Sequence, residues 1–147
     1  MLGQQRTEGR APVALTDEQQ AYIDAHNLCI LATGKRDGSP QISSVYYDWD
    51  GEHLYISVVS DRAKWQNAMR NPNIAVLIPD GRKQLVLYGK ASGIPDAPER
   101  DQRIVGIRAR WGRPVPEGYD PVAFTKELDE AKRVVLRFTP ERAFSND

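Results

Sequence analysis

Apolar and polar positions along this chain predict strands more than helices. Leu28 to Thr33 is an apolar run, Gln41 to Trp49 and His53 to Val59 are extended segments, and Ile74 to Ile78 and Leu85 to Ser92 follow. Asp37-Gly38, Asp50-Gly51 and Asp80-Gly81 fall in the gaps between these runs. Glycine accepts the positive φ that tight hairpin turns demand, so this placement predicts antiparallel neighbours. The helical signals lie at the edges. Thr16-Asp17-Glu18-Gln19 reads as a capping box and predicts a short helix to about His26, with Tyr22, Ile23 and Ala25 on its buried side. Ser60 to Arg70 reads as a second short helix, capped by Ser60 or Asp61 and stopped by Asn71-Pro72.

After Gly93 the pattern changes. Pro95 to Pro98 is a linker, and Glu99 to Trp111 is a helix with Ile104, Ile107 and Trp111 at core spacing. A loop from Gly112 to Gly118 leads to Asp120, which caps a helix from Pro121 to about Ala131. A final strand is expected from Arg133 to Phe138. Six strands joined mostly by hairpins, with peripheral helices, predict a mainly β fold: a small closed or half-closed antiparallel barrel. Several strands are apolar at consecutive positions, as in Leu28-Cys29-Ile30-Leu31 and Ile74-Ala75-Val76-Leu77-Ile78. A solvated outer face would alternate, so helices or a second subunit must cover the outside. The expectation is a homodimer.

With 147 residues, the chain is read as one domain over 15–147 behind a polar tail, 1–14. Lys plus Arg number 20 and Asp plus Glu number 20, a balance that argues against a general nucleic-acid binder. No apolar run approaches the roughly 20 residues that span a bilayer, and Met1 to Ala14 has no apolar signal core, so a cytoplasmic protein without membrane attachment is expected. Cys29, the single cysteine, has no partner for an intrachain disulfide or a thiolate metal site, and sits in an apolar strand as a small core residue. His26 and His53 have no acid or nucleophile at a diagnostic spacing, so neither nucleophilic catalysis nor a metal centre is expected.

Arg62 and Lys64 are different. They begin a short helix, where acids are usual, and two cations there suit an anion between them, with helix-start amides adding donors for a phosphate. Gln41, Ser43 and Ser44 are polar in a segment otherwise built for burial, and either face solvent or bond the polar edge of a ring.

The ordered series Leu31-Ala32-Thr33, Asp37-Gly38-Ser39-Pro40-Gln41, Tyr55-Ile56-Ser57, Arg62-Ala63-Lys64 with Asn67, and Asn71-Pro72 resembles the pyridoxamine-phosphate-oxidase-like split β-barrel. Within it, the pattern is most similar to the flavin/deazaflavin oxidoreductases, over residues 15–92 and more loosely to Phe144. The resemblance implies a homodimer with two cofactor sites at its interface. The phosphate of FMN, or of the deazaflavin coenzyme F-420, would lie against Arg62 and Lys64. Gln41 and Ser43 would approach the ring, Ser57 the ribityl-phosphate region, and Asn67 would steady the phosphate helix. Arg82, Lys83, Arg100, Arg103, Arg108, Arg110 and Arg113 are candidates for the anionic tail of F-420. The end of the chain, Phe138 to Phe144, lacks the Arg-Leu-x-Pro element of authentic pyridoxamine-phosphate oxidases, so pyridoxal-phosphate synthesis is not implied. The implied activity is hydride transfer from reduced F-420 to a small organic substrate, with solvent, Tyr46 or Tyr47 protonating the product. The alternatives are an FMN flavoprotein and a non-catalytic carrier of F-420, FMN or haem.

Overall fold

A computed structural model describes residues 14–146; most of the expected N-terminal tail lies outside the described residues. The element order is α1 (Asp17–Asp24), β1 (Leu28–Gly34), β2 (Pro40–Trp49), β3 (Leu54–Val59), α2 (Ala63–Arg70), β4 (Asn73–Asp80), β5 (Lys83–Ile94), α3 (Glu99–Trp111), α4 (Pro121–Glu130) and β6 (Arg133–Ser145). The strands close a barrel in the order β1-β2-β3-β6-β5-β4, with every neighbouring pair antiparallel. The turn glycines take the positive φ that the Asp-Gly pattern demands, +89° at Gly38, +97° at Gly51 and +58° at Gly81.

The barrel interior is filled by inward residues such as Leu31, Tyr47, Ile56, Val76, Leu87 and Leu136. Alpha helices contribute to the same core: Ile23 from α1 and Ala68 from α2 are both fully buried in it. Thr16 caps α1 as the full capping box, although Ala25 is exposed at the C-cap rather than on the buried side. A second core lies outside the barrel, where Ile104 and Ile107 of α3 and Phe124 and Leu128 of α4 bury the outward faces of Tyr55 and Val135. These helices account for part of the two-faced apolar pattern. Trp111 departs from the expected core role: it is 39% exposed and stacks on Tyr46 with ring centroids 4.5 Å apart.

Another part of the outer wall carries apolar residues in two cross-strand rows. One runs Ile42, Ala32, Ala75, Tyr88, and the next runs Ile30, Leu77, Val86, Phe144. Ile42 is 66% exposed, Phe144 51% and Tyr88 41%. No described helix is long and apolar enough to cross a membrane.

Two boundaries correct the sequence reading. β6 continues to Ser145 instead of stopping at Phe138, passing Pro140 by a bulge opposite Tyr88 and Gly89. Gly89 is obligatory there, because a Cβ would collide with the Thr139 carbonyl. The second concerns α2, whose N-cap is Arg62, with no side-chain cap bond. Ser60 and Asp61 form the turn before it: the Arg62 N–H bonds the Val59 carbonyl at 3.0 Å, and Asp61 pairs with Lys132 at 3.2 Å.

Candidate functional site

The β2–β3 ladder runs only from Trp49/Leu54 to Tyr47/Ile56. Beyond that pair the strands splay, and β3 keeps its ladder only with β6, through Val59. A cavity of about 510 Å³ opens in the split. Its floor is Val45 and Tyr46 on one side and Ser57, Val58 and Val59 on the other. Ile104, Ile107 and Trp111 from α3 and Leu128 from α4 form an apolar wall.

The opposite character comes from four cations on the same cavity. Arg62 and Lys64 at the start of α2, Arg108 on α3 and Arg133 at the start of β6 all line it. Among the described residues, none of these four has a carboxylate oxygen within 4.0 Å, whereas Arg100, Arg110, Lys132 and Arg137 are each paired. α2 adds backbone donors, since it carries neither a side-chain cap nor an acid in its first turn. Positive charge left unneutralised beside an apolar slot suits a ligand with an anionic end and a flat, weakly polar body. Glu127 is the acidic residue on this lining.

Three of the expected site residues, Ser57, Arg62 and Lys64, are therefore brought together. The others are not on the cavity lining. The Thr33 hydroxyl donates to Gln41 Oε1 at 3.0 Å, and Asn67 Nδ2 donates to Thr33 Oγ1 at 3.2 Å. Gln41 and Asn67 thus meet beneath α2, against β1. Ser43 is half-buried, and its Oγ has no hydrogen-bond partner among the described residues. Position along β2 explains the separation: Gln41 and Ser43 pair with Thr33 and Leu31 of β1 and lie before Val45, the first residue of the strand to reach the cavity.

The candidate tail cations also divide. Arg100 is 2% exposed and committed to Asp101, Asp129 and the Arg133 carbonyl. Arg103 sits 4.0 Å over the Tyr55 ring, and Arg110 donates to the carbonyls of Ile23, Asp24 and His26. Of the seven, Arg108 alone lines the cavity, with its Nε held by the Arg113 carbonyl at 3.1 Å. Arg133, Tyr46 and the Trp111 stack were not singled out as binding residues in the sequence; an arginine opening a strand carries no signal until the helices around it are placed.

Protein groups for covalent chemistry are poorly placed. Cys29 is fully buried, and burial pushes its thiol up to about 12. Tyr47 is buried, its hydroxyl donates to the Ile23 carbonyl at 2.6 Å, and burial holds its proton tightly, so it cannot serve as the proton donor. His26 spans the Tyr22 carbonyl at 2.7 Å and Asp80 at 2.9 Å, a bracing role at the end of α1.

A family model described as pyridoxamine 5'-phosphate oxidase matches residues 15–147. Among solved structures, a conserved hypothetical protein from Mycobacterium tuberculosis superposes with a TM-score of 0.76 at 23% identity, covering 96% of this chain and 90% of that one. An F-420 reductase gives 0.70 at 24% identity, covering 88% and 98%. A FAD-binding protein from Mesorhizobium loti gives 0.61 at 24%, covering 89% and 91%. At these identities the likeness to solved structures is one of fold.

Proposed function

This chain belongs to the pyridoxamine 5'-phosphate oxidase family, and from that premise we propose that it is an oxidoreductase that binds coenzyme F-420 in the β2–β3 split and reduces a small organic substrate. The observation that carries this reading is the set of four cations, Arg62, Lys64, Arg108 and Arg133, on one cavity with an apolar wall, none of them paired with a carboxylate among the described residues. Arg62, Lys64 and the first amides of α2 would hold the phosphate. Arg108 and Arg133 supply charge beyond a single phosphate, which suits a cofactor whose anionic tail continues past it. Ile104, Ile107 and Leu128 would exclude water from one side of the ring, and the free β2-side edge of β3 beyond Ile56 offers backbone groups to its polar rim. Reduced F-420 supplies a hydride when bound, and solvent or the Tyr46 hydroxyl supplies the proton that completes the reduction. The burial of Cys29 and Tyr47 fits a protein that orients a reactive cofactor and leaves the chemistry to it.

FMN is the competing cofactor. Glu127 favours it, because a carboxylate on the lining would repel a polyglutamate tail. The two rows of outward apolar residues on β1, β2, β4, β5 and β6 support a homodimer, with a second copy covering Ile42, Tyr88 and Phe144. The test is the absorbance spectrum and mass of the chromophore that co-purifies, followed by turnover of reduced F-420 against a panel of electron-poor acceptors. A deazaflavin mass and acceptor-dependent oxidation support the proposal. An FMN mass selects the alternative, and tight binding without turnover would make the protein a carrier.

A further inference from the structure

We infer that Thr33 and Asn67 are positioning residues: a buried hydrogen-bond chain from β2 through β1 into α2 fixes the helix that carries Arg62 at its N-cap and Lys64 in its first turn. The inference rests on the reading that these two cations hold a cofactor phosphate. It gives Gln41 a role other than approaching the ring, and it adds Thr33 to the helix-steadying role that the resemblance implies for Asn67.

α2 has little of its own to hold it in place. It is eight residues long, too short to be stable in isolation, and its N-cap makes no side-chain bond. Its location must come from tertiary contacts. Two of these are apolar: Ala68 is buried in the barrel core, and Trp65 packs so closely on Gly93 that a Cβ there would come within 2.6 Å of the indole. Apolar contacts resist separation but tolerate sliding. The directional contacts are polar.

Asn67, 6% exposed, donates through Nδ2 to the Thr33 hydroxyl at 3.2 Å, and its Oδ1 accepts from Arg70 at 2.9 Å. Arg70 also donates to the Gly34 carbonyl at 2.9 Å, which fastens the last turn of α2 to the end of β1. Thr33 is 3% exposed and spends its single proton on Gln41 Oε1 at 3.0 Å, leaving its lone pairs to accept from Asn67. The chain therefore has one polarity, from Arg70 to Asn67 to Thr33 to Gln41, and each buried group along it is satisfied. Asn67 lies three residues after Lys64, so the two are neighbours on the helix surface. A shift or rotation of α2 that broke the Asn67–Thr33 bond would carry Lys64 with it, and clamps on a phosphate lose most of their value when displaced by about 1 Å.

The test separates positioning from general stability by measuring ligand pairs that differ in the phosphate. FMN is titrated against riboflavin, and F-420 against its ribityl deazaflavin core, with wild type, Thr33→Val, Thr33→Ser and Asn67→Ala. Thr33→Val is nearly isosteric and removes the hydroxyl; Thr33→Ser keeps it. Thr33→Val and Asn67→Ala are expected to reduce the preference for the phosphorylated ligand by about tenfold, the scale of one lost buried hydrogen bond, with little change for the phosphate-free one. Thr33→Ser should retain the wild-type preference. Should Asn67→Ala not fold, the Thr33 pair carries the test alone. An unchanged preference in Thr33→Val, an equal loss for both members of a pair, or a Thr33→Ser that behaves like Thr33→Val would overturn the inference. A wild type with no preference for the phosphorylated ligands would instead overturn the phosphate clamp on which it rests.

Discussion

Replacing Arg100 by Met removes the centre of a buried charge network and leaves its partners behind. Arg100 is 2% exposed and donates to Asp101 at 2.5 Å, to Asp129 at 2.8 Å and to the Arg133 carbonyl at 2.9 Å, joining α3, α4 and β6. The partners differ in how they recover. The Asp129 side chain is 64% exposed and regains water. The Asp101 side chain is 13% exposed and, among the described residues, keeps only the Thr125 hydroxyl as a donor. Breaking a buried ion pair costs ~3–5 kcal/mol because it strands a charge, and rehydration of Asp129 places this case near ~3 kcal/mol. For a chain of this length that corresponds to a fall in Tm of roughly 10 °C. The assay is urea unfolding of wild type, Arg100→Met, and Arg100→Met combined with Asp101→Asn, with a common m-value as the check on two-state behaviour. Removing the stranded charge should return ~1–2 kcal/mol to the double variant. A single variant within about 1 kcal/mol of wild type, or a double variant no more stable than the single, would refute the reasoning.

Lys64→Ala should weaken cofactor binding by ~1.5–3 kcal/mol and change stability by no more than ~0.5 kcal/mol; a titration equal to wild type would remove Lys64 from the site. Cys29 should resist alkylation in the native state near pH 8, reacting about a thousandfold more slowly than an accessible thiol. Its proton is held more tightly folded than unfolded, so this contribution to stability is full below pH 9.0 and is lost as pH rises towards about 12, which unfolding at pH 8, 9 and 10 will read as a decline. Light scattering at micromolar protein should give a dimer, in the ~2,000 Å² interface class, and Leu77→Glu, in the middle of an outward apolar row, should give monomer; a monomeric wild type contradicts the assembly.

The barrel was legible because two periodicities agreed. Apolar runs named the strands, and Asp-Gly dipeptides in the gaps required positive φ at Gly38, Gly51 and Gly81, which the structure shows. The end of β6 was not legible: Pro140 reads as a stop, and only the bulge and the bare Gly89 opposite let the strand continue. At the site, Arg62 and Lys64 stood out because they oppose the ordinary charge preference of a helix start. Gln41 and Ser43 stood out as polar residues in an apolar strand, but polarity does not say which face a residue takes. Alternation sets the face, but where β2 and β3 part decides which residues reach the cavity, and the parting is a property of the paired strands, invisible in either one. The arginines of α3 show the same limit. Arg100, Arg103, Arg108 and Arg110 look alike in sequence, and only packing separates a buried strut from a residue on the cavity.

The claim at the centre of this account is that the split cavity is built for a ligand whose negative charge extends beyond one phosphate. The measurement that tests it most directly is a pair of fluorescence titrations, F-420 and FMN, each at low and high salt, with Arg108→Ala and Arg133→Ala alongside wild type. Affinity for F-420 should exceed that for FMN by about tenfold, or ~1.4 kcal/mol. The excess should shrink as salt rises and in both variants, because exposed charge contacts are screened while ring contacts are not. Equal affinities, or tighter binding of FMN at both salt concentrations, would contradict the claim.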